Sequence, residues 1–202
     1  ASLARFQDEA GTLAQLEHPH IVTVHEAGEV EGRRVIAMRY VEGPSLAHLL
    51  ATEGPQPPQR VAGWLEEVAE ALDYAHGQGV IHQDVKPTTL LLDGRGHAVV
   101  SDFGLARAVE MSGGSVESED RKILSGTAKY MAPEQARGEP VPESDVYSLG
   151  VVAYELLTGQ VPFDGKDPFA IALRQMTERP RPLRALRPEL PQGVEAVVLK
   201  AL

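Results

Sequence analysis

Apolar residues recur at helical spacing from the start of the chain. Leu3, Phe6, Ala10, Leu13 and Leu16 share one face, which predicts an amphipathic helix over Ser2–Glu17 ended by His18-Pro19. The pattern then changes. Ile21–Ala27 and Arg34–Val41 read as two strands, joined by the Gly- and charge-containing turn Gly28–Arg33. Ser45 stands where an N-cap would, ahead of a short helix to Leu50. Val61, Trp64, Leu65, Val68, Leu72 and Ala75 fall on one face of a long helix, Pro58–His76, and Gly77 and Gly79 supply its stop. Leu90–Leu92 and Ala98–Val100 flank Asp93-Gly94-Arg95-Gly96 as a small hairpin. Asp145–Leu157 is apolar almost all round, which predicts a buried central helix. Asp167–Thr177 and Pro191–Leu202 read as two more helices, linked by the Arg/Pro-rich stretch Arg179–Pro191. Residues Glu110–Lys122, rich in Ser, Gly and Glu, read as a surface loop. One helix, two strands and then mostly helices predict an α+β fold.

Composition narrows the function classes. The chain has 202 residues, about one domain's worth. Its formal net charge is −10, a poor match to nucleic acid, which needs clustered Lys and Arg. No apolar run reaches the ~20 residues a membrane-spanning helix needs. The nearest, Val151–Leu157, is short and interrupted by Glu155. Cysteine is absent, which excludes disulfides, thiolate catalysis and Cys-based metal sites. His18 and His20 are two apart around a proline, whereas helical metal pairs sit three or four apart. No secretory signal pattern is present, and the expected compartment is the cytoplasm, whether alone or as the cytoplasmic part of a larger protein.

The candidate chemistry lies in two aspartates that each follow a short apolar run. Asp84 lies in Val80-Ile81-His82-Gln83-Asp84-Val85-Lys86-Pro87, and Asp102 in Val99-Val100-Ser101-Asp102-Phe103-Gly104. His82–Thr89 resembles the catalytic loop of protein kinases, H-R-D-x-K-x-x-N. Asp102-Phe103-Gly104 resembles D-F-G, Ala132-Pro133-Glu134 resembles A-P-E, and Asp145–Gly150 resembles D-x-W-S-x-G. All four stand in the family's order. The resemblance covers essentially the whole chain. It implies a kinase-like α+β fold, with a partial N-terminal lobe over 1–41 (regulatory helix, two strands, start of the hinge) and a C-terminal lobe over 42–202.

The resemblance also implies roles. Asp84 would accept the proton of the acceptor hydroxyl, Lys86 would sit near the γ-phosphate, and Thr127 would bond to both and help seat a Ser or Thr substrate. Asp102 would ligand Mg²⁺, with Thr89 at the position of the second metal ligand. Met38, Tyr40, Val41, Ser45 and Leu91 would line the ATP site. Glu9 would partner the phosphate-binding lysine. Leu13, Val24, His82 and Phe103 would stack as an apolar spine. The implied partners are ATP and a protein substrate, and the implied cofactor is Mg²⁺, with Mn²⁺ as a substitute.

Four departures qualify this. No G-x-G-x-x-G loop or lysine-bearing strand precedes Glu9 in these residues. Gly165-Lys166 does not complete a Walker motif, because Gln160 and Asp167 occupy positions that need Gly and Ser/Thr. The 202 residues on their own are therefore expected to bind ATP weakly and not to transfer phosphate. Thr89 replaces the family's Asn, Gln83 replaces the Arg that pairs with an activation-loop phosphate, and the Arg partner of Glu134 is missing. The expected function is a Ser/Thr protein kinase domain. The alternative is a pseudokinase that binds or scaffolds.

Overall fold

The computed structural model describes residues 11–31, 33–103, 126–165 and 167–202, with the backbone alone at 33 and 34. Strands β1 (Val24–Val30) and β2 (Arg33–Met38) pair antiparallel, from Val24↔Met38 to Val30↔Arg33. β1 begins three residues later than the apolar pattern predicts. Ile21 and Val22 are spent elsewhere. Ile21 bridges Val100, and the Val22 N–H donates to the Val100 carbonyl (2.9 Å), so this buried pair ties the first hairpin to the second. β2 likewise ends before Val41, where the chain leaves the strand as the connecting segment. Of the first predicted helix, the part before residue 11 lies outside the described residues.

Helix α1 (Leu46–Glu53) starts as its sequence predicts, with Ser45 Oγ accepting the His48 N–H at 3.2 Å. Gly43, just upstream, is required by proximity, since a Cβ there would meet the Leu92 carbonyl oxygen at 2.2 Å. α2 (Pro58–Gly77) buries Val61, Trp64, Val68, Ala71, Leu72 and Ala75. Trp64 Nε1 donates to Gly96 O (3.1 Å) and Glu67 accepts the Ala98 N–H (2.6 Å), so α2 grips the hairpin of β3 (Leu90–Leu92) and β4 (Ala98–Val100). The pairing of that hairpin, Leu90↔Val100, is the predicted one.

α3 (Pro142–Thr158) is the central helix, with twelve buried residues on all sides. It packs on α2 and on α5 (Gln192–Ala201). Gly150 permits the second crossing, because a Cβ there would stand 2.9 Å from Ala201 Cβ. α4 (Pro168–Thr177) begins at Asp167, whose Oδ1 accepts the Phe169 N–H. One apolar core runs through α1, α2, α3, both strands of the second hairpin, Leu13 and Leu16. The architecture is a small antiparallel hairpin beside a helical body, an α+β fold. Among the described residues no helix is long and apolar enough to cross a membrane.

Candidate active site

The loop between α2 and β3 carries Asp84, and its first residues are anchored by a buried carboxylate. Asp145, in the first turn of α3 and fully buried, accepts the N–H of His82 and the N–H of Gln83, both at 2.8 Å. It also accepts from His76 Nε2 at 2.8 Å, near the C-terminus of α2. His82 is fully buried. Its Nδ1 accepts the Asp84 N–H (3.1 Å), so Nε2 carries the proton donated to Ser101 O (2.9 Å). Burial holds this imidazole below its ordinary pKa, against the opposing pull of Asp145 and, more weakly, of Asp84 and Asp102.

On that scaffold the predicted catalytic residues meet. Lys86 Nζ lies 2.7 Å from Asp84 Oδ2 and donates to Thr127 Oγ1 at 3.2 Å. Asp84 Oδ1 is buried and, among the described residues, has no hydrogen-bond partner. Thr89 is buried. Its hydroxyl accepts the Lys86 N–H (3.2 Å) and directs its proton between Asp84 O (3.1 Å) and Lys86 O (3.0 Å). The side chain thus braces the loop backbone. Asp102 follows β4 at φ 64, and its Oδ2 accepts from Ser101 Oγ at 3.1 Å.

The spine positions also converge. Phe103 packs against His82 with the rings tilted by 47° and their centroids 4.5 Å apart, and Leu13, Val24 and Phe103 line a cavity of about 10 Å³ together with Met38 and Asp102. Val41 is half-buried, and Tyr40 is 83% exposed with its ring in solvent. Ser45 pairs its backbone with Leu91, and Pro44 O accepts the Leu92 N–H (2.9 Å), so the connecting segment is stitched to β3. Ser45 Oγ is occupied in capping α1. Glu9 lies outside the described residues, as does Gly104.

A cleft of about 570 Å³ opens beside Lys86 and Thr127, bounded by Leu50, Lys129, Tyr130 and Glu155. Tyr130 donates to Glu155 Oε2 at 2.6 Å. Burial raises the pKa of both groups, most strongly for the phenol, which the neighbouring carboxylate pushes further up. Gln175 Nε2 donates to Ala128 O (3.1 Å) and Lys129 O (3.2 Å), fixing the segment that carries Thr127. Glu134 accepts from Ser144 Oγ at 2.5 Å.

The protein kinase domain family matches residues 2–194. The chain belongs to that family. It is 44% identical over 203 aligned residues to the serine/threonine-protein kinase PknB of Mycobacterium tuberculosis, covering 98% of this chain and 32% of that protein. It is 38% identical to the probable serine/threonine-protein kinase PknB of Lactococcus lactis, over 99% of this chain and 31% of the relative. It is 36% identical to the serine/threonine-protein kinase PrkC of Bacillus subtilis, over 98% and 30%. The chain therefore spans about a third of the length of these relatives.

Two contributors went unassigned in the sequence. Asp145 read only as the opening of a motif, although a carboxylate in the first turn of a helix that is apolar all round needs buried donors, and that conflict was the available signal. Gln135, two residues past Pro133, gave no signal at all. It stands in a short 3₁₀ turn, Gln135–Arg137, and its amide reaches back to Gln83.

Proposed function

We propose that the protein transfers the γ-phosphoryl group of ATP to Ser or Thr hydroxyls of protein substrates. The observation that carries this reading is the chain Asp84–Lys86–Thr127, with Asp84 Oδ1 left without a partner among the described residues. Asp84 Oδ1 takes the proton of the acceptor hydroxyl as that oxygen bonds to the γ-phosphorus. The bond from the γ-phosphorus to the bridging oxygen breaks, and ADP leaves with that oxygen. Lys86 holds Asp84 Oδ2 and faces the phosphate side. Thr127 links the lysine to the substrate-bearing segment. Met38, Val41 and Leu91 contribute the apolar surface for the base, and the cleft bounded by Lys129, Tyr130 and Glu155 receives the polypeptide.

The donor set fits Mg²⁺ in one position and poorly in another. Among the described residues no group of three or more His, Cys, Asp or Glu could hold a metal by itself. A cation held by Asp102 would therefore complete its shell with phosphate oxygens and water, the usual arrangement for Mg²⁺. Bound there, it supplies charge neutralisation on the phosphates. Thr89 fits less well, because its hydroxyl is engaged by loop backbone groups.

That engagement favours a second reading, a pseudokinase that keeps the fold and binds without turnover. The deciding experiment is transfer from γ-labelled ATP to a generic basic protein by the full-length protein, with Asp84→Asn alongside. Transfer lost in the variant supports the kinase reading. No transfer by the wild type, with nucleotide still bound, supports the pseudokinase.

A further inference from the structure

Gln83 immediately precedes the proposed base and adopts φ 67, a left-handed conformation that a residue with a Cβ holds only when its surroundings impose it. What imposes it is visible at both of its peptide groups. The Gln83 N–H donates to Asp145 Oδ1 (2.8 Å), and the Gln83 carbonyl accepts from Gln135 Nε2 (2.9 Å). The N–H on the far side of that second peptide belongs to Asp84 and donates to His82 Nδ1 (3.1 Å). The peptide unit joining Gln83 to Asp84 is therefore pinned at its oxygen by Gln135 and at its nitrogen by His82. The Gln135 amide cannot be turned over. Its Oε1 accepts the N–H of buried Ala132 (3.1 Å), and the reverse orientation would set N–H against N–H and oxygen against oxygen.

We propose that Gln135 is a positioning residue for Asp84. By holding the Gln83 carbonyl it fixes the peptide plane from which the Asp84 side chain projects. It thereby couples the Ala132–Glu134 turn, at the end of the segment carrying Thr127, to the catalytic loop 52 residues away in sequence. Both polar atoms of the Gln135 amide are spent on backbone groups, Ala132 N–H and Gln83 O, so its role is through the loop rather than on the reacting groups. The inference rests on the kinase reading for its turnover consequence and on geometry alone for the clamp.

The test uses the full-length protein with Gln135→Met, which removes both bonds at similar size, and Gln135→Glu, which keeps an acceptor for Ala132 and loses the donor to Gln83. In both variants, amide hydrogen exchange across residues 82–86 should rise about tenfold, the loss expected for one hydrogen bond, while α3 exchanges as in the wild type. In both, kcat should fall about tenfold with KM for ATP within twofold. Unchanged exchange at 82–86 in the Met variant would overturn the clamp. So would a Glu variant indistinguishable from wild type, which would leave the Ala132 bond as the only one that matters. A rise in KM for ATP matching the fall in kcat would overturn the positioning role. If the wild type transfers no phosphate the kinase reading falls, and the exchange experiment still decides the clamp.

Discussion

Lys86 Nζ stands 2.7 Å from one oxygen of Asp84, and the other oxygen of that carboxylate is buried with no partner among the described residues. An unmatched buried carboxylate oxygen is costly and persists in folded proteins mainly where something else is to bind it. The lysine lowers that cost from one side only. The two oxygens are therefore unlike, one paired with Lys86 and the other, on the proposed kinase reading, the one that would take the proton.

Asp84→Asn removes the basic carboxylate and keeps the shape. Turnover of the full-length protein should drop by about 10²–10⁴-fold, the range for losing a general base. Affinity for Mg·ATP, read by calorimetry, should stay within about twofold, because in the proposed function Asp84 acts on the acceptor hydroxyl rather than on the nucleotide. Asp102→Asn should abolish turnover and weaken Mg·ATP binding through loss of a metal ligand. Equal losses of nucleotide affinity in the two variants would contradict this division of roles.

Asp145 should matter for stability before chemistry. Its two oxygens accept from two backbone N–H groups and an imidazole inside the core. Asn at this position turns an NH₂ toward at least one of those donors, leaving a buried clash of hydrogens. The expected cost is about 3 kcal/mol. It should appear as a lower urea midpoint at unchanged m-value, with loss of exchange protection at His82 and Gln83 ahead of the helices. A midpoint equal to wild type would remove Asp145 as the anchor of the loop.

The fold was legible where local chemistry and burial agree. α2, the β3–β4 hairpin and α4 fall within a residue of their predicted limits, because apolar spacing, Pro at N1, Asp167 and the Asp-Gly turn all act within a few residues. β1 was displaced, because nothing local says that Ile21 and Val22 pair with Val100 across 79 residues of chain for Ile21. The candidate site was legible as residue types in motif order, and Asp84, Lys86 and Thr127, the last far from the other two in the sequence, lie side by side in the structure. Its supports were not. Asp145 and Gln135 act through backbone groups of the catalytic loop, and a side chain that recognises backbone leaves no signature in the sequence it recognises.

Acid should loosen the loop through His82. Its folded-state pKa is depressed by burial, so the unfolded chain binds the proton first. The contribution is fully present above the unfolded pKa, about 6.5, and is lost as pH falls from there toward the folded value. The limiting slope for one proton is about 1.4 kcal/mol per pH unit. A proton on Nδ1 would also displace the Asp84 N–H. His82→Phe keeps an aromatic ring against Phe103 and cannot titrate. Its unfolding free energy, measured from pH 7.5 to 5.5, should fall less steeply than that of the wild type. Parallel curves would assign the acid sensitivity elsewhere.

On the proposed kinase reading, Thr89 would decide how well a second metal is held. Its single oxygen accepts one N–H and shares one proton between two carbonyls of the loop. It also sits on Cβ, one bond nearer the backbone than an amide oxygen, a shortfall of roughly 1.5 Å. Mg²⁺ tolerates little error in ligand distance and replaces a short-falling side chain with water. Asn at position 89 separates the two tasks, with NH₂ donating to the carbonyls and the amide oxygen free for the cation. Thr89→Asn should therefore raise turnover of the full-length protein several-fold at low millimolar Mg²⁺, flatten the metal dependence and remove any advantage of Mn²⁺. Thr89→Val, of nearly the same shape, should lose the brace, lowering stability by about 1–2 kcal/mol and turnover at every metal concentration. Identical Mg²⁺ titrations for wild type and Thr89→Asn, both active, would show that the hydroxyl already serves the second metal. A wild type that is inactive across the titration and remains so with Asn restored would mark a chain that has given up transfer.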